Sequence, residues 1–248
     1  MKLQLKLSLL LSFLLLMSCK PKESDMIAQE IIDASITASG LDSIHKSLLE
    51  FDFREMHYKA DRKDGIYSLE RSFFKEDDAY RDILSNSCFE RYINGKLSKI
   101  TKDNAIKYSE SVNSVHYFSI LPYGLNDKAV IKNYLGKVSL EGKQYHKIKI
   151  TFRKDGGGVD YDDEFIYWFR TSNYFLDYIA YSYHTNGGGI RFREVNGEQI
   201  LKGVRFVNYN NYKPKALLKL ENIDKAFENN QLEKVSEITI HNLYLSLN

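Results

Sequence analysis

Acidic side chains are concentrated in residues 155–164, around a run of three glycines. Carboxylate oxygens are the ligands that Ca²⁺ prefers, so the segment suggests a cation site, although its spacing fits no defined calcium loop. A solvated connection between two strands explains the same composition, and we favour that interpretation. The candidate metal ligands are Asp155, Asp160, Asp162 and Asp163.

Two arginines are placed where they could bind an anion. Arg191 and Arg193 flank Phe192 in a strand-like run, so both guanidinium groups should lie on one strand face. Arginine binds carboxylate and phosphate groups through paired hydrogen bonds, and the pair could hold a head group at a cavity mouth. The competing and favoured interpretation is the solvated face of an amphipathic strand.

An uninterrupted apolar run, residues 165–169, needs cover on both strand faces. Its aromatic side chains could line a ligand groove, yet core packing explains most of the aromatic residues in the chain. The candidate ligand-binding residues are Phe165, Tyr167, Trp168, Arg191, Phe192 and Arg193.

The motifs of common catalytic sites are missing from the sequence. The six histidines include no pair at helical ligand spacing, and no serine lies in a Gly-x-Ser-x-Gly turn. We therefore predict no catalytic residue and no cofactor, and regard a non-enzymatic role as the better hypothesis. Cys88, beside Phe89 in a strand-like stretch, is predicted to be a small core residue.

Most of the chain shows strand patterns separated by turn signals. Alternation is clear from Leu49 to Phe53, and Asp64-Gly65, Asn94-Gly95 and Asn196-Gly197 favour tight hairpins between antiparallel neighbours. The predicted strands cover residues 47–59, 66–74, 79–84, 87–93, 96–101, 143–153, 163–170, 174–183, 190–195, 198–209, 215–221 and 235–247.

Three helices are predicted beside these strands. The first is capped by Ser24 or Asp25 and stops before Gly40, and an inserted pair covers residues 109–119 and 126–135. No βαβ alternation is visible. The fold class is therefore α+β, mostly antiparallel β, in which so many strands must form a curled sheet or an unclosed half-barrel.

The start of the chain has the pattern of an export signal. Lys2 and Lys6 precede an apolar run from Leu7 to Met17, about half the roughly twenty residues that a membrane span needs. Removing the signal lowers the formal net charge from +2 to near zero, which argues against a nucleic-acid partner. The predicted organisation is a signal peptide (1–18), a tether (19–25) and a single domain (26–248).

The end of this signal, Leu16-Met17-Ser18-Cys19, resembles the lipobox of bacterial lipoproteins. The resemblance implies that Cys19 becomes the lipidated first residue of the mature protein, held on a membrane by its acyl chains. An ordinary soluble secretory signal is the alternative. Lys20, where aspartate would imply inner-membrane retention, implies sorting to the outer membrane, facing the periplasm or the cell surface.

The order of elements resembles the unclosed half-barrel of the LolA/LolB class of lipoprotein carriers and receptors. That resemblance implies a concave apolar cavity suited to acyl chains. The chain is also similar to a family of uncharacterised bacterial outer-membrane lipoproteins. The residues that carry this second similarity are Leu121-Pro122-Tyr123, Leu125-Asn126-Asp127, Tyr134-Leu135-Gly136, Gly156-Gly157-Gly158, Tyr167-Trp168 and 188–193, Gly-Gly-Ile-Arg-Phe-Arg.

These observations favour a lipid-anchored envelope protein that binds an apolar or amphipathic ligand in a concave sheet. The membrane would be its partner through Cys19, beside a lipid-like ligand. One alternative is a structural or partner-binding lipoprotein within an outer-membrane assembly. Another is an envelope hydrolase that uses the carboxylates at 160–164.

Overall fold

Two antiparallel sheets of seven strands each dominate the structure, a computed structural model that describes residues 23–156, 161–184 and 187–247. The first sheet has the order β14-β1-β2-β3-β4-β5-β6, and the second has the order β13-β12-β11-β10-β9-β8-β7. The strands are β1 Lys46–Phe53, β2 Met56–Lys63, β3 Ile66–Lys75, β4 Asp78–Ser85, β5 Phe89–Ile93, β6 Lys96–Leu97, β7 Val130–Leu140, β8 Lys143–Phe152, β9 Glu164–Arg170, β10 Leu176–Tyr183, β11 Gly189–Leu201, β12 Val204–Pro214, β13 Leu232–Ile238 and β14 Ile240–Leu247.

Three α-helices accompany the sheets in the described residues: α1 Glu23–Ala38, α2 Lys102–Ser119 and α3 Ile223–Glu228. Short 3₁₀ turns follow α1 at Leu41–Ser43, follow α2 at Tyr123–Asn126 and precede α3 at Leu220–Asn222.

The two sheets are joined by the last segment of the chain. β13 and β14 are separated only by Thr239, yet β13 pairs with β12 and β14 pairs with β1. The junction is fixed by hydrogen bonds, because the Ile240 N–H donates to Asn208 Oδ1 at 3.1 Å and Gln199 Nε2 donates to the Ile240 carbonyl at 3.3 Å. The sheets stay unclosed, with β6 and β7 as their outer edges.

Strand alternation sends one set of side chains into a core shared by both sheets. Leu49 and Phe51 of β1 are fully buried there with Tyr167 and Phe169 of β9. A second core covers the opposite face of the second sheet, where α3 packs on Trp168. Fully burying side chains of this size contributes about 1.5–3 kcal/mol each.

Gly40 closes α1 against the β11–β12 hairpin. Its φ of +68° lies in the left-handed region, and a Cβ there would stand 2.1 Å from the Gly203 carbonyl oxygen. Only glycine fits both conditions, since it has no Cβ. The Arg205 N–H, which donates to the Ser39 carbonyl at 2.9 Å, joins the same two segments.

The predicted fold class is confirmed: the fold is mostly antiparallel β, unclosed, with an N-terminal helix. The cover predicted for both faces of residues 165–169 is also confirmed. The prediction of an inserted pair of helices is right for the first helix and wrong for the second. The first helix is α2, but residues 126–135 contain the end of a 3₁₀ turn, a short connection and the start of β7.

β7 continues to Leu140 and pairs with β8 along its length. This long-range pairing outweighs the helical spacing of a few apolar residues. Gly136, predicted to stop a helix, instead lies at a break in the β7–β8 register with φ of +103°.

Several strand limits also differ from prediction. Residues 47–59 contain both β1 and a turn into β2, and residues 235–247 divide between β13 and β14. The predicted strand 96–101 is limited to Lys96–Leu97, and 215–221 forms a connection that ends in a 3₁₀ turn.

The prediction of a hairpin turn at Asn196-Gly197 is wrong, because Gly197 lies at a register shift inside β11. The turn is at Lys202-Gly203, where both residues have positive φ. Cys88 is exposed rather than in the core, since it precedes β5 in the turn from β4.

Candidate functional site

An open groove of about 630 Å³ lies between α2 and the inner face of the second sheet. Aromatic and aliphatic side chains form most of its wall, and polar side chains are interspersed among them. Its lining residues are Phe51, Phe53, Arg54, Glu110, Asn113, Ser114, Val115, Tyr117, Phe118, Ser119, Phe152, Asp163, Phe165, Tyr181, Tyr183, Arg191, Arg193, Val207, Tyr209, Asn211, Ser236, Ile238 and Ile240.

Helix α2 forms one wall of the groove. Thr101 caps its N-terminus by accepting a hydrogen bond from the Asn104 N–H at 3.3 Å. Val112 and His116, four residues apart, are both fully buried against the first sheet. Val115 and Phe118 point from the same helix into the groove.

His116 attaches α2 to the first sheet. Its Nε2 hydrogen-bonds the Glu70 carbonyl at 3.0 Å, and its ring lies edge-on to Phe51 and Tyr58. Burial lowers the pKa of His116 to about 3, although the hydrogen bond to Glu70 acts in the opposite direction. His116 is therefore neutral at physiological pH.

A buried ion triad holds the same helix. Asp82 of β4 is fully buried and accepts hydrogen bonds from Arg71, with Nη2 at 2.6 Å, and from Arg91, with Nε at 2.6 Å. Arg71 also donates to Ser111 Oγ on α2 at 2.7 Å, and the Arg91 guanidinium lies 3.5 Å from the Tyr108 ring centre. The triad thus connects three strands to the helix wall.

Stacked aromatic rings form the floor of the groove. Cross-strand pairing sets Tyr181 of β10 opposite Phe165 of β9, with ring centres 5.6 Å apart. Phe152 of β8 meets Phe165 at 5.7 Å, and Phe118 of α2 lies 6.0 Å from Tyr181. The rings therefore make a continuous apolar surface from sheet to helix.

Two arginines of β11 lie at this aromatic surface. The Arg193 guanidinium lies 4.2 Å from the Phe118 ring centre and donates from Nη2 to the Tyr181 hydroxyl at 3.0 Å. Arg191 lies 5.2 Å from the Tyr183 ring centre and donates to the Ile190 carbonyl at 2.9 Å. Both arginines also line the groove.

A polar row crosses the floor beside them. Arg193, Asn211 and Ser236 are successive cross-strand partners on β11, β12 and β13. Asn211 Nδ2 donates to Ser236 Oγ at 3.1 Å. Two atoms of the row, Arg193 Nε and Asn211 Oδ1, are buried without a hydrogen-bond partner among the described residues.

A family of unknown function, DUF6503, matches residues 5–240 of the sequence. The chain belongs to this family. No curated protein matches the DUF6503 chain.

The chain is similar to several solved structures at low identity. A DUF1329 family protein from Desulfovibrio piger has a TM-score of 0.48 at 9% identity, with 89% of this chain and 94% of that chain covered. A domain described as an outer-membrane lipoprotein-sorting protein, from Vibrio parahaemolyticus, has a TM-score of 0.46 at 9% identity, with 88% and 93% covered. A LolA superfamily protein from Nitrosomonas europaea has a TM-score of 0.44 at 9% identity, with 88% and 91% covered.

Three of the six candidate ligand residues of the DUF6503 chain line the groove: Phe165, Arg191 and Arg193. Tyr167 lies on the same strand face as Phe165 but is fully buried in the shared core and does not line the groove. Burial raises the pKa of Tyr167 well above its usual value.

Trp168 and Phe192, two further candidate ligand residues, do not line the groove. They belong to the second core, and their rings meet edge to face at 5.7 Å. Alternation explains this, because neighbouring strand residues point to opposite faces. The Trp168 indole N–H donates to Asp224 Oδ2 of α3 at 3.3 Å, and Lys147 Nζ donates to the same oxygen at 2.6 Å.

The acidic segment gathers only part of the predicted cation site. Asp162 and Asp163 meet His184, with one ligand atom from each lying within 4.8 Å of the others. The His184 Nδ1 is 3.3 Å from Asp163 Oδ1, so a hydrogen bond accounts for this contact. Asp155 is exposed in the turn after β8, and Asp160 lies outside the described residues.

Three residues of interest were not predicted from the sequence. Tyr181 and Phe118 line the groove and hold Arg193, and His184, outside the groove lining, meets the acidic segment. The β9–β10 pairing carried the signal for His184, since Ser182 opposite Glu164 places the next residues side by side. Nothing in the sequence placed α2 over the second sheet.

Proposed function

We propose that this protein is a membrane-anchored binder of an amphipathic molecule, whose apolar part occupies the groove between α2 and the second sheet. The observation that carries the proposal is the groove itself, about 630 Å³ and lined mainly by aromatic and aliphatic side chains. Ligand pockets typically enclose about 300–1,000 Å³ with such a lining. The structural, partner-binding and hydrolase alternatives gain no specific support from this geometry.

Burial of an apolar chain supplies the driving force in this proposal. Each methylene moved from water to the aromatic floor contributes about 0.8 kcal/mol. The floor rings of Phe152, Phe165 and Tyr181 already contact one another, so little side-chain ordering opposes binding.

The proposal includes a lipid anchor on Cys19 and a location at the outer membrane. Cys19 lies outside the described residues, and the lipobox resemblance alone supports the anchor. In the described part of the chain, no helix is long and apolar enough to cross a membrane. A tethered protein would receive, hold or present its ligand without carrying it across the periplasm.

Photolabelling of the wild type and of a variant whose groove is filled by a larger side chain tests the proposal. The full chain, in a nonionic detergent, is irradiated with a photoreactive palmitate analogue, and the labelled peptides are mapped by mass spectrometry. We expect labelling around α2 and β9–β11, reduced about tenfold or more by Val207→Trp, because Val207 lines the groove.

Val235→Trp is the matched control. Val235 is 41% exposed on β13 and does not line the groove, so this variant should label like the wild type. Labelling spread over the surface and unchanged in Val207→Trp would overturn the proposal.

A further inference from the structure

We propose that the groove selects anionic amphiphiles, single apolar chains that end in a carboxylate or phosphate, and that Arg191 and Arg193 bind the head group. This inference rests on the proposed function and names its ligand class. Both arginines line the groove from one face of β11, two residues apart.

Several buried arginines of the fold are neutralised by carboxylates. Buried Arg71 and Arg91 share Asp82, and buried Arg205 contacts Asp177 and Glu198. Arg62 is buried as well, but it does not line this groove. Arg191 and Arg193 instead lie in the lining of the groove, where they contribute two of its positive charges.

The two guanidinium groups keep N–H donors that no described residue uses. The Arg193 guanidinium lies 4.2 Å from the Phe118 ring centre, and the Arg191 guanidinium lies 5.2 Å from the Tyr183 ring centre. A guanidinium group carries five N–H donors, and an aromatic contact replaces none of them with a hydrogen-bond acceptor as strong as a carboxylate or phosphate. Only Nη2 of Arg193 and Nη1 of Arg191 donate to described residues.

The charges of the groove favour an anion. Its lining contains three arginines, including Arg54, and two carboxylates, Glu110 and Asp163. Asp163 contacts His184 at 3.3 Å. A free carboxylate or phosphate would gain the same charge-assisted hydrogen bonds, but only an attached apolar chain would also cover the aromatic floor.

Competition against the photoreactive palmitate analogue tests the selection. The competitors are palmitate, hexadecyl phosphate, hexadecanol and inorganic phosphate, added to the full chain in the same detergent. For the wild type we expect each anionic amphiphile to compete at least about tenfold better than hexadecanol. Inorganic phosphate should compete far more weakly than hexadecyl phosphate.

Variants of the two arginines test whether Arg191 and Arg193 cause the preference for anionic head groups. Arg191→Gln with Arg193→Gln should remove the advantage of palmitate over hexadecanol, whereas the double lysine variant should keep most of it. Arg81→Gln is the matched control, because Arg81 is half exposed, pairs with Glu70 and lies outside the groove. The wild-type comparison decides the inference even if the double glutamine variant does not fold.

Each remaining outcome has one meaning. Equal competition by palmitate and hexadecanol in the wild type would overturn the head-group inference and leave the groove proposal standing. If inorganic phosphate competes as well as hexadecyl phosphate, the site binds a free anion, and the inference that the ligand is an amphiphile is overturned. No competition by any chain would overturn the proposed function, and the inference with it.

Discussion

Replacing Asp82 by asparagine removes the charge that holds α2 against the first sheet. Asp82 accepts four hydrogen bonds from Arg71 and Arg91, and its side chain is fully buried. The variant keeps two nearly buried guanidinium groups without their counter-charge, and its amide N–H₂ would face their donors. Removing one partner of a buried ion pair costs about 3–5 kcal/mol.

That free energy should lower the melting temperature by about 6–20 °C, at about 2–4 °C per kcal/mol for a chain of this size. Near-ultraviolet circular dichroism of the full chain in detergent measures the shift. Because Ser111 and Tyr108 connect the triad to α2, groove labelling should weaken before global unfolding.

Two comparisons make the Asp82 result specific. Glu70→Gln breaks the pair with Arg81, whose side chain is 52% exposed, and should cost under about 1 kcal/mol. The triple variant Arg71→Met, Asp82→Leu and Arg91→Met should recover most of the loss, because apolar residues of similar volume need no counter-charge. An Asp82→Asn variant within about 1 kcal/mol of the wild type would refute the view that the triad holds the helix wall.

Two further perturbations follow from burial and backbone conformation. His116 has its pKa lowered to about 3 in the folded protein, so its contribution is complete above its unfolded pKa near 6.5 and is lost as pH falls from there toward 3. Urea titrations at several pH values should show that this residue lowers the free energy of unfolding by up to about 1.4 kcal/mol per pH unit as the pH falls. His116→Phe should flatten that slope. A slope unchanged in the variant would contradict the view that His116 is buried in its neutral form. Gly40→Ala should lower the free energy of unfolding by more than about 3 kcal/mol in the same assay, because the new Cβ would meet the Gly203 carbonyl. Gly65→Ala is the control: a Cβ there has nothing within 4 Å, so the loss should be about 1 kcal/mol. Equal losses for the two glycines would show that the Gly40 contact has no energetic weight.

Local patterns in the sequence predicted the class of fold because they reflect local physics. Alternation at 49–53 predicted β1, and the apolar run at 165–169 predicted a strand covered on both faces. Pairing between distant segments could not be predicted in this way. Residues 126–135 satisfy a helical pattern, but the ladder with β8 makes residues 130–135 a strand. Pairing with β12 on one side and with β1 on the other divides residues 235–247 between the two sheets.

The candidate site was predicted in part for the same reason. Alternation places Arg191 and Arg193 on one face, and the structure brings that face into the groove. The same alternation places Trp168 and Phe192 on the opposite sheet face from Phe165. The composition of the aromatic run alone does not show this separation. The helix that supplies Phe118 comes from a distant part of the chain, so no local pattern located it.

Native mass spectrometry of the protein purified from its own membrane tests the central claim most directly. Wild type and Val235→Trp should each retain a co-purifying amphiphile, and Val207→Trp should lose it, because Val207 alone of the two lines the groove. The mass of the released ligand should correspond to an apolar chain with a carboxylate or phosphate. Identical ligand-free masses for all three proteins would contradict the account.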